Sequence, residues 1–333
     1  MNTKALDVAC WKYDRVAALM NGEVTIEGAD ASFHTARIVT EIFESMIRGQ
    51  AYDVSELGMT YFLRTFSEGL SPFLALPIFP NRAFRHSAIY VNKHSGIQSP
   101  ADLASKTIGE LALYSHDAGI VAKGILADEY GFDPAQSQWL IGGIDFPMKP
   151  IDFVARPHPS DVDVSIAAPD TDLGKMLDTG EIDALVSADV PECVLQGSPN
   201  VGRLFADYPA VERDYFDRTG IFPIMHTVVV TRELAEQEPD VVRAVYSAFC
   251  RAKDMAAEAL HHGMTFNNMA TMVPWLTDLL EKNRALMGDD GWPYGIAANR
   301  PAVEAMLRYH HEQGITDRTY AVEDIFVPYL LDT

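Results

Sequence analysis

Basic side chains, cysteines and nucleotide-binding motifs are what this 333-residue chain has least of. Lysine and arginine number 26 against 47 aspartates and glutamates, a formal net charge of −21. Phosphate binding needs a basic face, so this balance argues against nucleic acid as a partner and against an anionic membrane surface. No apolar run reaches the roughly 18 residues of a membrane span. Near the start, Asp7 and Lys12 interrupt the apolar stretch that a secretory signal would need unbroken over about 7–15 residues, so a cytoplasmic location is expected. Cys10, Cys193 and Cys250 form no Cys-x-x-Cys pair. They suit reduced, packed thiols better than a framework of disulfides or a lone nucleophile. Gly-x-Gly-x-x-Gly, the P-loop and Gly-x-Ser-x-Gly are all missing, which removes the commonest signatures of dinucleotide, nucleotide and serine-hydrolase chemistry. The adjacent pairs His261-His262 and His310-His311 lack the i, i+4 spacing that shares a metal. No metal is expected.

What is present is an alternation of short apolar runs with helical stretches, the pattern of an α/β protein. Strands are expected at Ala5–Ala9, Tyr52–Leu57, His86–Asn92, Thr107–Glu110, Ile182–Ser187 and Ile224–Val230. Helices are expected at Tyr13–Met20, Thr40–Arg48, from a Ser115 cap to Tyr130, and at Asp172–Thr179. Long helices follow from Pro239 to about His262, from Thr271 to Met287 with a kink at Pro274, and from Pro301 to Gln313. Ser99-Pro100-Ala101-Asp102 offers a cap, a proline at the first helical position and an acid at the third. The order predicts two lobes with a ligand cleft between them. Residues 1–92 and 205–333 form lobe one, with the C-terminal helices, and 93–204 form lobe two. The chain crosses at His86–Asn92 and returns at Ile224–Val230. Ligands in such sheets sit at the carboxyl ends of strands and against helix N-termini.

That rule selects the candidate residues. Arg82 and Arg85 are scarce cations beside one crossing, and a guanidinium pairs bidentately with a carboxylate; pairing with surface acids is the plainer alternative. His86 and His226 stand at the two crossings and can exchange protons near neutrality, although a histidine inside an apolar strand also suits a core. Ser55 and Glu56 end a strand and open a helix, where Glu56 serves either the helix dipole or acid–base work. Tyr13, Asp14 and Arg15 lie at another strand-to-helix turn, as do Tyr114 and Ser115. Gly288–Gly295 is a turn-rich loop that either lids the cleft or covers the helical tail.

The same segments carry a resemblance. Arg82-Ala83-Phe84-Arg85-His86-Ser87-Ala88-Ile89-Tyr90-Val91 and Thr219-Gly220-Ile221-Phe222-Pro223-Ile224-Met225-His226 are its specific motifs. Tyr13-Asp14-Arg15, Tyr52–Leu57, Trp292-Pro293-Tyr294-Gly295 and Tyr309–Gly314 extend it over essentially the whole chain. The chain resembles the 4,5-dihydroxyphthalate decarboxylase family, cytoplasmic enzymes with the type II periplasmic-binding-protein fold. The resemblance implies removal of CO2 from a hydroxylated aromatic acid with no organic cofactor. It implies Arg82 and Arg85 as carboxylate anchors, and His86, His226 and Glu56 as the acid–base set. Tyr13, Asp14, Arg15, Ser55, Tyr114 and Ser115 would line the substrate. The turn Leu111-Ala112-Leu113-Tyr114-Ser115-His116 departs from the family pattern, which leaves the exact substrate open. A solute-binding protein that holds a small aromatic carboxylate without catalysis is the alternative; a related enzyme acting on another aromatic or cyclic acid, with or without a metal, is a third reading. Histidines at both crossings favour an enzyme. Self-association is left open.

Overall fold

The computed structural model describes residues 3–67, 69–149, 151–155 and 158–333. Among the described residues, eleven strands form two sheets. The first sheet holds β1 (Lys4–Ala9), β2 (Ala29–His34), β3 (Val54–Gly58), β4 (Phe73–Arg82) and β11 (Ile224–Thr231), in the order β2-β1-β3-β11-β4. The second holds β5 (Ile89–Asn92), β6 (Thr107–Leu111), β7 (Gln138–Gly142), β8 (Asp163–Ile166), β9 (Ala184–Val186) and β10 (Val201–Arg203), in the order β10-β5-β9-β6-β7-β8. The chain leaves the first sheet after β4, builds the second, and returns as β11. That strand inserts antiparallel between β3 and β4. Two lobes and a double crossing follow from this order.

The strands β3, β4 and β11 of the first sheet are buried on both faces, so their residues divide by parity. In β11, Val228 and Val230 pack with Val242, Val245 and Phe249 of the helix Pro239–Thr265. Val229 faces the opposite cluster with Leu57, Phe43 and Phe79. That second cluster continues into Ile108, Ile120, Ile125 and Trp139 of the other lobe. The lobes therefore share one apolar body around the site.

Several elements depart from the sequence pattern. His86–Ala88 forms a 3-10 turn, and only Ile89–Asn92 is a strand. It pairs with β9 and β10 of the second sheet, although the sequence pattern assigns it to lobe one. An apolar four-residue run suits either sheet, and nothing in it names its partner. The strand Phe73–Arg82 is the longest among the described residues, yet Pro77 and Pro80 hide it from sequence. Proline lacks the N–H of a ladder, and β4 tolerates two because it is an edge strand. The stretch Thr271–Met287 is helical only from Leu276. Proline interrupts a helix, and here Trp275, with φ 58°, starts the helix after Pro274. The tail helix Arg300–Glu312 also reaches the second lobe. Arg308 pairs with Asp128, and Gln313 donates to the Ile120 carbonyl.

The two helices Asp117–Tyr130 and Arg300–Glu312 touch where Gly124 lies under the Tyr309 ring, and any Cβ at Gly124 would overlap that ring. Gly124→Leu is expected to destabilise the protein by about 1–3 kcal/mol through overpacking. Urea unfolding measures this, and an unchanged midpoint would contradict the packing described.

Candidate active site

The register of β3 and β11 sets His226 opposite Gly58 and Val228 opposite Glu56. Glu56 and His226 are thus diagonal neighbours on one face, within side-chain reach. The pairing of β11 with β4 shifts on both sides of His226. Such irregularities re-aim side chains near functional sites. The adjoining pair Ala9–Ser55 of β1 and β3 brings Cys10 and Trp11 against Glu56.

Glu56 is completely buried. It accepts hydrogen bonds from the Trp11 backbone N–H at 2.8 Å, the Tyr13 hydroxyl at 2.7 Å, the Cys10 thiol at 3.3 Å and His226 Nδ1 at 2.6 Å. Burial alone would raise its pKa. His226 and the donors of Trp11 and Tyr13 outweigh burial and hold the carboxyl below its usual range. Burial and the charge of Glu56 push the Cys10 thiol and the Tyr13 hydroxyl up, so both stay protonated. A carboxylate only accepts, so His226 donates from Nδ1 and leaves Nε2 as the nitrogen that can accept a proton. Nε2 lies 3.9 Å from Asp117 Oδ2 and 3.5 Å from Asn81 Nδ2. Phe43 stands edge-on to the ring at 5.2 Å between centroids.

Asp117 comes from the second lobe, at the start of the helix Asp117–Tyr130. It accepts from the Thr60 backbone N–H at 2.8 Å, and the Thr60 hydroxyl donates to the Ser115 carbonyl at 2.9 Å. Burial raises the Asp117 pKa above the usual carboxylate value. Gly58 permits this approach, because a Cβ there would overlap the Asp117 carboxylate. Behind Asp117, buried Glu110 accepts from the Ser115 N–H at 2.9 Å, His116 Nδ1 at 3.2 Å and Lys123 Nζ at 2.6 Å. Burial lowers Lys123 to about 8.

The structure separates the other expected residues. Arg82 spends its terminal nitrogens on the carbonyls of Pro293 and Phe222 and on Asn299 Oδ1, so it ties β4 to two loops. Arg85 is buried, and among the described residues its one hydrogen bond runs from Nε to Met225 Sδ, leaving its terminal nitrogens free. Burial lowers it to about 10, opposed chiefly by Asp117. Arg15 donates to the Pro80 carbonyl and lies between the rings of Tyr13 and Trp292. The loop 288–295 thereby covers lobe one beside the site. Asp14 is exposed and pairs with Arg15. Ser55 donates to the Glu56 carbonyl, Tyr114 packs against Trp139 and Lys123, and Ser115 reaches Gln313. His86 is not brought to Glu56 and His226. It is buried between Phe205 and Tyr215, its Nδ1 has no partner, and burial lowers its pKa to about 4. Sequence reasoning missed Asn81, His116, Asp117 and Arg64. Arg64 is buried, with Nε and Nη1 unpartnered and Nη2 on the Tyr114 carbonyl. The signals were a helix N-terminus for His116 and Asp117 and, for Arg64, a cation inside an apolar run. Among the described residues, no three His, Cys, Asp or Glu side chains gather where they could hold a metal ion.

With this geometry in place, likeness to known proteins becomes informative. No protein-family model matches the chain. A curated protein of Comamonas testosteroni, 4,5-dihydroxyphthalate decarboxylase, is 35% identical over 335 residues, covering 100% of this chain and 99% of the relative. The chain belongs to the 4,5-dihydroxyphthalate decarboxylase family. The Pseudomonas putida protein of the same name is 34% identical over 216 residues, covering 65% of this chain and 83% of that one. Among solved structures, the periplasmic aliphatic sulphonate binding protein SsuA from Escherichia coli superposes with a TM-score of 0.57 at 13% identity, covering 99% of each chain. The alkanesulfonate-binding protein SsuA from Xanthomonas axonopodis pv. citri gives 0.52 at 14%, covering 99% of this chain and 98% of that one. These structures show the fold, that of two-lobed periplasmic binding proteins. Among the described residues, no helix is long and apolar enough to cross a membrane.

His86 yields a test of its placement. Its folded pKa of about 4 lies below the unfolded value of about 6.5. Between these values the unfolded chain binds the extra proton, so stability falls on acidification from pH 6.5 to 4. His86→Phe should make that fall shallower by up to about 1.4 kcal/mol per pH unit and leave turnover near wild type. Denaturant unfolding across this pH range measures the slope, and loss of turnover would put His86 back among the reacting groups.

Proposed function

We propose that this protein is a carboxy-lyase that removes CO2 from a hydroxylated aromatic dicarboxylate such as 4,5-dihydroxyphthalate, giving 3,4-dihydroxybenzoate. The buried Glu56–His226 pair carries this reading. A protein that only holds an anion needs cationic anchors and amide donors. It has no use for an imidazole whose Nδ1 is locked to a desolvated carboxylate and whose Nε2 faces the other lobe.

Direct loss of CO2 from an aromatic ring would leave an aryl anion. Substrates of this class avoid it through the hydroxyl para to the departing carboxylate. Once that hydroxyl is ionised, its electron pair reaches the carboxylated carbon, which accepts a proton first. The carbon–carboxylate bond then breaks, CO2 departs, and its electron pair restores the ring. One proton is consumed for each CO2 released. His226 delivers the proton from Nε2, and Glu56 holds the ring in place and stabilises its cationic form. Arg85, with free terminal nitrogens beside Asp117, anchors the carboxylate that remains. Tyr13, Phe43 and Tyr61 supply aromatic walls on the first lobe. No organic cofactor enters these steps.

Purified protein incubated with 4,5-dihydroxyphthalate should release CO2 and form 3,4-dihydroxybenzoate. His226→Gln should lower kcat by about 10²–10⁴-fold with little change in KM. Tight binding without turnover would return the chain to the solute-binding reading. The proposal extends to a cytoplasmic location, supported by three unpaired cysteines. Recovery with the periplasmic contents on cell fractionation would contradict it.

A further inference from the structure

The reaction needs a second proton-transfer group, because the phenol must lose its proton while the ring carbon gains one. We infer that His116, held by Glu110, is that second acid–base group and takes the phenol proton; this rests on the decarboxylase reading above.

The two lobes present the same device. Ser55-Glu56-Leu57-Gly58 ends β3, and Gly109-Glu110-Leu111 ends β6. Each glutamate is completely buried. Each accepts Nδ1 of a histidine, one backbone N–H and one further side-chain donor. For Glu56 these are His226, Trp11 and Tyr13, with the Cys10 thiol as a fourth donor. For Glu110 they are His116, Ser115 and Lys123. His116 is 5% exposed, and its Nε2 is buried without a partner among the described residues. An unpartnered buried nitrogen is costly unless something occupies it. Here it sits at a helix N-terminus beside Asp117, the residue that meets His226 across the lobes. The turn leading to it is strained. Ala112 and Ser115 both have positive φ, 64° and 56°, a state that non-glycine residues hold at a cost of about 1–3 kcal/mol where function over-determines it.

Charge balance divides the work. Glu56 has His226 as its bonded basic partner, whereas Glu110 is already paired with Lys123. A proton on His226 answers an otherwise uncompensated carboxylate, so His226 is the donor to carbon. His116 faces a neutralised pair and starts as the base. The groups around it are Glu110 on β6, Asp117 and Lys123 on its own helix, Arg64 from the helix Met59–Arg64, and His226 and Arg85 beyond Asp117. In the forward step the phenol O–H proton passes to His116 Nε2, and the oxygen pair moves into the ring. His226 protonates the carboxylated carbon, and CO2 leaves. His116 then returns its proton to the oxygen, and solvent reprotonates His226.

His116→Asn keeps a donor for Glu110 and removes Nε2. Its kcat at pH 7 should fall about 10²-fold or more with KM within about threefold. It should then recover about tenfold per pH unit as the phenol ionises unaided toward its own pKa near 10. His226→Gln should show no such recovery. A His116→Asn enzyme within threefold of wild type, or one whose pH profile parallels wild type, overturns the assignment while wild-type turnover keeps the decarboxylase reading. No turnover by wild type overturns both. His116→Gln, whose amide reaches the Nε2 position, provides a second variant. In the wild-type protein, 15N-histidine spectra with 3,4-dihydroxybenzoate should show two imidazoles changing protonation; a single responding ring overturns the assignment.

Discussion

A carboxylate removed from water needs donors on its lone pairs, and Glu56 gathers four from two parts of the chain, the turn after β1 and the strand β11. The rest of the site follows from that arrangement. The Trp11 N–H and the Tyr13 hydroxyl fix the turn after β1. The short bond to Nδ1 fixes the tautomer and direction of His226, so Nε2 points to the other lobe. Taking one partner from such a buried pair costs about 3–5 kcal/mol, because the other charge is left unanswered. The pair is a structural tie between β3 and β11, and in the proposed reaction it is also the chemical centre.

The fold is shared with proteins that hold sulfonates, and fold alone does not decide function. Function is argued from what the two lobes bring together. The first lobe contributes His226 on Glu56, and the second contributes His116 on Glu110, with Asp117 between them. Gly58 leaves the space in which Asp117 docks against β3. Lobe closure, which in a binding protein only traps the ligand, here would also assemble two proton-handling groups and exclude water from them.

Much of this was legible in sequence, and the gaps have physical causes. The helix stops at Gly131 and Gly180 and the Ser99–Asp102 capping box obey local rules that involve few neighbours, and they form as expected. The return strand at Ile224 was visible because its β-branched run has no competing pattern. Partner choice was not visible. Nothing in Ile89–Asn92 says which sheet receives it, and nothing in Arg82 or Arg85 says which guanidinium is spent on carbonyls. Burial sorted the two crossing histidines: aromatic rings surround His86, and a carboxylate meets His226. Asp117 escaped notice because its role depends on a glycine from the other lobe, a coincidence of tertiary structure with no local signature.

The central claim is that His226, set by Glu56, exchanges a proton with the ring carbon that loses CO2. That carbon becomes C6 of 3,4-dihydroxybenzoate, and the reverse of its protonation can be watched without decarboxylation. The protein is incubated with 3,4-dihydroxybenzoate in D2O, and deuterium at C6 is followed by proton NMR. The account predicts that wild type exchanges C6–H and that Glu56→Gln and His226→Gln slow this by about a hundredfold or more. Exchange at the wild-type rate in either variant would contradict it.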